Sequence, residues 1–320
     1  MAAPTLVPNL LPMIDINKAK MISPGTPSWL ESCATVRRAL EEYGFFVAIY
    51  DQISSKLKQE VFDLASELFE LPLETKVKNT RNMVDGYIGQ LPNAPLHEST
   101  AISNATTAQA VESFTNLMWP SGNDRFKNAI SSHAKLVGEL ENFVNKMVFD
   151  SYGAGKHIKQ YIESTTFILR LISYKPLQEG LENGEIGANI HTDKGFLSII
   201  HQNQVNALSV ETRDGQWIDV DFPPNSCVIM AGDAYEAWSN GRIRPAKHQV
   251  IMKAGDQTRY TAVLTSYKEG TVEIPEELVD EEYPLQYKPF DHMGLVEFSY
   301  SGTLSDMSGS AAKSFCGITA

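Results

Sequence analysis

The chain has 320 residues, 27 basic and 39 acidic, a formal net charge of −12 and 42% hydrophobic side chains. That size allows one or two domains with a sizeable core. The acidic excess, without a compensating basic patch, argues against nucleic acid or an anionic membrane as partner. Cys33, Cys227 and Cys316 are widely spaced and form no Cys-x-x-Cys pattern, so neither a disulfide framework nor a thiolate zinc site is expected, and a cytoplasmic setting fits. The opening Met-Ala-Ala-Pro has no basic leader, and no apolar stretch reaches the length of a membrane span.

The first half reads as mainly helical after a short extended segment, Leu11 to Ile16. Ser28 is a candidate N-cap for a helix with Leu30, Cys33, Ala34, Arg37 and Leu40 on one face and Gly44 as its stop. Phe45 to Ile49 reads as a buried strand. Ser54 opens a second helix, with Val61, Leu64, Ala65 and Leu68 in its stripe and an end before Pro72. A third runs from about Asp124 to Tyr152, with Phe126, Ile130, Val137, Leu140, Val144 and Met147 inward. Between the second and third, Arg81 to Trp119 has weak periodicity, and a long irregular segment in a compact domain is often functional.

From Thr165 onward short β-like runs take over: Thr166 to Tyr174, Ile190 to His201, Ala207 to Glu211, Gln216 to Val220, Ser226 to Ala231, Gln249 to Lys253 and Tyr260 to Tyr267. Asp214-Gly215 between two of them signals a hairpin. The pattern predicts a mainly β fold with flanking helices, a double-stranded β-helix (jelly roll). Its parts are an α-rich region over 1–160, the catalytic core over 161–300 and a flexible tail over 301–320.

Chemistry concentrates at His191-Thr-Asp193. In a strand, residues two apart share a face, so imidazole and carboxylate can converge on one ion, and His248 beside a later strand can complete the set. Two histidines and one carboxylate with open positions opposite is the arrangement of non-haem Fe(II) oxygenases. On spacing alone, zinc and chance stay open. Eleven positions after His248, Arg259 and Thr261 share a strand face, a guanidinium fork beside a hydroxyl, suited to a carboxylate. His97, His133, His157, His201 and His292 read as surface, hydrogen-bonded or structural residues.

With these residues in place, the chain resembles the plant 2-oxoglutarate- and Fe(II)-dependent dioxygenases over nearly its whole length. The likeness rests on Leu11-Pro-Met-Ile-Asp15, Glu42-Tyr-Gly-Phe-Phe46, His191-Thr-Asp193, Asp214-Gly-Gln-Trp217, Gly232-Asp233, Asn240-Gly-Arg242, His248 and Arg259-x-Thr261. Trp238 to Arg244 and Tyr287-Lys-Pro-Phe290 bring it nearest the subgroup of glucosinolate side-chain, steroidal-alkaloid and auxin oxidases. The resemblance implies that His191, Asp193 and His248 ligate iron, and that Arg259 and Thr261 anchor 2-oxoglutarate with support from Tyr174. Ile172 stands where the family usually has asparagine, and Gln249 where it often has arginine.

It further implies O2-dependent oxidation of a small plant metabolite or hormone, foremost hydroxylation, with succinate and CO2 as co-products and ascorbate as reductant. Desaturation, ring closure or dealkylation by the same oxidant is the alternative. A silent jelly-roll binding protein and a zinc hydrolase are the readings from other classes, and neither needs the carboxylate anchor. No obligate protein partner is evident. Phe114, Met118 and Phe298 are candidate substrate-wall residues, with core packing equally open to each.

Overall fold

A computed structural model describes residues 11–80, 84–92, 94–177, 185–255, 257–301 and 310–318. The α-rich half contains β1 (Met13–Asp15), α1 (Ile16–Lys20), α2 (Pro27–Glu42), β2 (Phe45–Ile49), α3 (Ser55–Phe69), α4 (Leu73–Lys76), β3 (His97–Ser103), α5 (Ala108–Met118), α6 (Asp124–Ser151) and α7 (Ile158–Glu163). Then follow β4 (Thr165–Tyr174), β5 (Glu185–His191), β6 (Leu197–Gln202), β7 (Leu208–Glu211), β8 (Trp217–Asp219) and β9 (Ser226–Ala231). The chain continues through α8 (Asp233–Trp238), β10 (His248–Met252), β11 (Arg259–Lys268), β12 (Thr271–Val272), β13 (Phe290–Asp291), α9 (His292–Tyr300) and α10 (Ala311–Cys316).

Seven strands form a major sheet in the order β1-β2-β9-β6-β11-β4-β3, and four form a minor sheet, β5-β10-β7-β8. Together they make the jelly roll, with the helices packed outside the major sheet. Strand alternation explains the layering. On β11, Ala262 and Leu264 join the helical core, as do Phe167, Leu169 and Leu171 of β4. Their odd-even partners Arg259, Thr261, Val263 and Thr265, with Arg170, Ile172 and Tyr174, face the space between the sheets. α6 lies under the outer face, and all six residues of its expected stripe are buried.

Helix ends follow cap chemistry. Ser54 caps α3 as expected, its side chain accepting from Leu57 N. α2 starts earlier than the sequence reading: Thr26 is the cap and Pro27 the first helical residue. Its inward face is Trp29, Cys33, Val36, Ala39 and Leu40, and Leu30 is exposed. The run Ile190 to His201 is not one strand. It breaks at 192–196, and its halves lie in different sheets, β5 in the minor and β6 in the major. Asp214-Gly215 does turn β7 into antiparallel β8, with Gly215 at φ 81°. The tail expected over 301–320 is not loose at 310–318. There α10 buries Ala311, Ala312 and Cys316, and the backbone bonds Lys288 N to Cys316 O and Ile318 N to Gln286 O tie it down.

Candidate active site

β5 and β10 pair antiparallel with His191 directly opposite His248, which brings the two imidazole centroids to 4.2 Å. Asp193 reaches them from the loop beyond β5, not from a continuing strand. Its Oδ1 lies 3.9 Å from His191 Nε2 and 4.0 Å from His248 Nε2. One ligand atom from each residue falls within 4.8 Å of the others. Both imidazoles are oriented through the other nitrogen: His191 Nδ1 bonds Asn189 O at 2.7 Å and His248 Nδ1 bonds Ala246 O at 2.9 Å. With Nδ1 donating to a carbonyl, each Nε2 presents a lone pair to the common centre. Burial, with His191 beside it, pushes the His248 imidazole down to about 4, so it is neutral and able to ligate at physiological pH.

The loop carrying Asp193 is held tightly. Asp233 N donates to Asp193 O at 2.8 Å, and Lys194 Nζ pairs with the fully buried Asp233 at 2.6 Å and donates to Thr192 Oγ1. Gly232 leaves no room for a side chain: a Cβ there would sit 2.4 Å from Gly195 O and 2.8 Å from Asp193 O. Gly232 and Asp233 thus start α8 and brace the loop that carries Asp193.

A cavity of about 500 Å³ opens in front of the three residues. Arg259, Thr261 and Tyr174 line it, on the paired strands β11 and β4 with Arg259 opposite Tyr174. Arg259 is only 1% exposed, and its Nε and Nη2 both donate to Gln202 Oε1, at 3.1 and 2.8 Å. Its guanidinium carbon lies 5.2 Å from the Tyr174 ring centroid. Among the described residues no carboxylate comes within ion-pair distance of it. Beside it, Thr261 Oγ1 is buried with no hydrogen-bond partner among the described residues. Burial pushes the Tyr174 hydroxyl upward, against the pull of Arg259, so it remains a donor. An uncompensated buried cation next to an unsatisfied hydroxyl is costly in an empty protein and suits an anionic ligand that meets both.

The rest of the wall differs from the sequence expectation. Phe114 and Met118 do not face the cavity. They are buried in the helical core, Phe114 stacking on Phe126 at 5.8 Å, because α5 turns that stripe toward α6. Phe298 packs against Phe315 of α10 at 5.5 Å, while Tyr300, two residues on, lines the cavity. The Arg81 to Trp119 segment does contribute, through Val84, Ile88, Leu91, Ala94 and His97. His97, expected from sequence to be an ordinary surface or hydrogen-bonded residue, lines the cavity edge-on to Tyr174 at 5.4 Å, and burial with Arg170 nearby pushes it down to about 4. Gln202 was also missed, since its role depends on strand register. Ile172 faces the cavity where the family pattern has a polar residue.

A double-stranded β-helix that gathers two histidines and an aspartate at its mouth, with a buried arginine alongside, defines a non-haem metal-dependent oxygenase class. Residues 165–266 match the 2OG-Fe(II) oxygenase superfamily, and residues 11–116 match the N-terminal family described as non-haem dioxygenase in morphine synthesis. The chain is 37% identical to a probable 2-oxoglutarate-dependent dioxygenase of Arabidopsis thaliana, AOP1, over 90% of this chain and 96% of that one. Its fold superposes on the crystal structure of the rice dioxygenase for auxin oxidation with a TM-score of 0.80 and 25% identity, covering 96% of this chain and 100% of that one. The corresponding Arabidopsis thaliana protein, solved as a complex with 2-oxoglutarate, gives a TM-score of 0.77 and 26% identity over 86% and 100% of the two chains. The protein belongs to the 2OG-Fe(II) oxygenase superfamily and is a 2-oxoglutarate- and Fe(II)-dependent dioxygenase.

Proposed function

We propose that His191, Asp193 and His248 hold the Fe(II) ion and that Arg259, Thr261 and Tyr174 seat the distal carboxylate of 2-oxoglutarate. The observation that carries this reading is the buried Arg259, without a carboxylate partner among the described residues and beside the unpartnered Thr261 hydroxyl. A dicarboxylate anchored there extends along the cavity toward the three metal-type ligands. Gln202 takes two donors of the guanidinium and so fixes the fork before the ligand arrives. The iron, when bound, couples the O2-dependent decarboxylation of 2-oxoglutarate to succinate and CO2 with oxidation of a C–H bond in a second substrate. Ascorbate serves as the reductant that keeps the metal ferrous.

The second substrate in this reading is a small plant specialised metabolite or hormone, and the outcome is hydroxylation. Val84, Ile88, Leu91 and Ala94 offer it an apolar wall, while Ser99, Thr265 and Tyr267 offer a few polar groups that orient it. Similarity to the dioxygenases for auxin oxidation supports that size and chemistry. Desaturation, ring closure or dealkylation differs only in the fate of the oxidised carbon.

The test is incubation with Fe(II), 2-oxoglutarate, ascorbate and a plant metabolite extract in air, followed by mass spectrometry. Depletion of a metabolite with gain of one oxygen atom and equimolar succinate supports hydroxylation. Loss of two hydrogens replaces it with desaturation or ring closure. A folded, iron-loaded protein that converts nothing and forms no succinate would refute the assignment.

A further inference from the structure

The loop that carries Asp193 has one tie from far along the chain, through a side chain that no step above uses. His292, the first residue of α9, is fully buried, and its Nε2 lies 2.9 Å from Lys194 O, 98 positions away. Its Nδ1 accepts from Lys268 N at 2.9 Å. The two bonds fix the tautomer: a nitrogen that accepts a backbone N–H carries no proton, so Nε2 carries it and donates to the Lys194 carbonyl. The ring itself has little freedom. It stacks on Tyr267 at 5.3 Å and 30°, and meets Phe196 edge-on at 5.5 Å and 73°.

We propose that His292 is a positioning residue for the Asp193 carboxylate, clamping the metal-binding loop to β11 and to the helix α9. The inference rests on the reading of Asp193 as a metal ligand. Asp193 lies outside any strand, so no ladder fixes its direction, whereas His191 and His248 are aligned by cross-strand pairing. Its loop is held from one side by Asp233 N on Asp193 O and from another by Phe196 N on Ser266 O. Lys194 Nζ on Asp233 and Gly232 N on Phe196 O add to these, and the imidazole supplies a separate point, one residue after the carboxylate, from β11 and α9. Because Tyr267 and Tyr300 both line the cavity, the first stacked on His292 and the second on the same helix, the clamp also links the substrate wall to the ligand loop. A residue with only a packing role would need the ring but neither nitrogen.

The test uses Co(II) as a redox-stable probe of the whole chain, titrated through its ligand-field absorption. His292→Phe keeps an aromatic ring of similar volume and deletes both hydrogen bonds, and the expected result is Co(II) binding weakened about tenfold to a hundredfold, the range found when the support of a metal ligand is removed. His292→Gln, which keeps a donor and an acceptor, recovers part of the loss. A folded His292→Phe protein that binds Co(II) with the wild-type Kd would overturn the proposal, whatever its Tm. Should the variants fail to fold, hydrogen exchange on the wild-type chain decides. The Lys268 amide, which donates to His292, is expected to exchange more slowly with Co(II) bound, and an unchanged rate counts against the clamp. Absence of any Co(II) binding by the wild-type chain would overturn the reading of the triad itself.

Discussion

Arg259 couples the stability of the fold to the binding of its ligand. A guanidinium that is 1% exposed and has no carboxylate partner among the described residues weakens the ligand-free fold and strengthens ligand binding. Arg259→Met, which keeps the apolar stem and removes the charge, is expected to raise the Tm of the ligand-free protein. It should also cut 2-oxoglutarate affinity by about a hundredfold or more, the scale of losing one partner of a buried ion pair. Calorimetric titration and a melting curve on the same sample check both signs. Thr261→Ala deletes one hydrogen bond to a charged oxygen, worth roughly tenfold in 2-oxoglutarate Kd. Thr261→Ser keeps the hydroxyl and should stay close to wild type. Equal affinities for the alanine and serine variants would show that the Thr261 hydroxyl does not touch the ligand.

Among the elements, the loop at 192–196 and the helix α6 decide the most. Gly232→Ala drives a methyl group into the carbonyls of Asp193 and Gly195, at 2.8 and 2.4 Å, so the aspartate must move. The expected result is a loss of Fe(II) affinity and turnover with a smaller change in Tm; unchanged iron binding would contradict the role given to this contact. On α6, Glu141 is fully buried, with Oε2 unpartnered among the described residues, and burial pushes its carboxyl up to about 8, against hydrogen bonds from Ser266 and Asn145. Its folded pKa lies above the unfolded value, so its contribution is fully present below pH 4.5 and is lost as pH rises toward about 8. Glu141→Gln removes that dependence. The variant should match wild type near pH 4 and exceed it at pH 8 by on the order of a few kcal/mol in denaturant unfolding.

Much of this architecture was legible in the residues. Phe45–Ile49, Ser226–Ala231 and the long α6 stripe announced themselves by period and length, and the His-x-Asp, distal histidine and Arg-x-Thr pattern located the site. The break after His191 was hidden because the polar stretch Thr192-Asp-Lys-Gly195 is only four residues long between apolar runs, and Gly195 was its one strong turn signal. Phe114 and Met118 could not be placed, since an amphipathic helix in an irregular segment has no sequence signal for which neighbour its stripe meets. The docking of α10 was likewise masked by a small-residue composition that also suits a loose tail.

For the molecule as a whole, the jelly roll and its helical cover share an interface that should not tolerate acid. His133 of α6 and His201 of β6 meet there with ring centroids 5.1 Å apart. Burial, with Lys58 nearby, pushes His133 down to about 4, and burial with His133 beside it pushes His201 well below its ordinary value. Both are held below the unfolded value of 6.5, so their contribution is intact above pH 6.5 and is lost as pH falls, toward about 4 for His133. His133→Phe should move the acid-unfolding midpoint to lower pH, as followed by circular dichroism. The same two-sheet scaffold brings the cross-strand histidines, the looped aspartate and the buried arginine to one cavity, and the proposed chemistry depends on that convergence. Anaerobic titration with Fe(II) and then 2-oxoglutarate tests it most directly. A visible charge-transfer band is expected, saturating with one equivalent of each and disappearing in Arg259→Met at the same concentrations. A folded wild-type protein that gives no band, or one whose band survives that substitution unchanged, would contradict it.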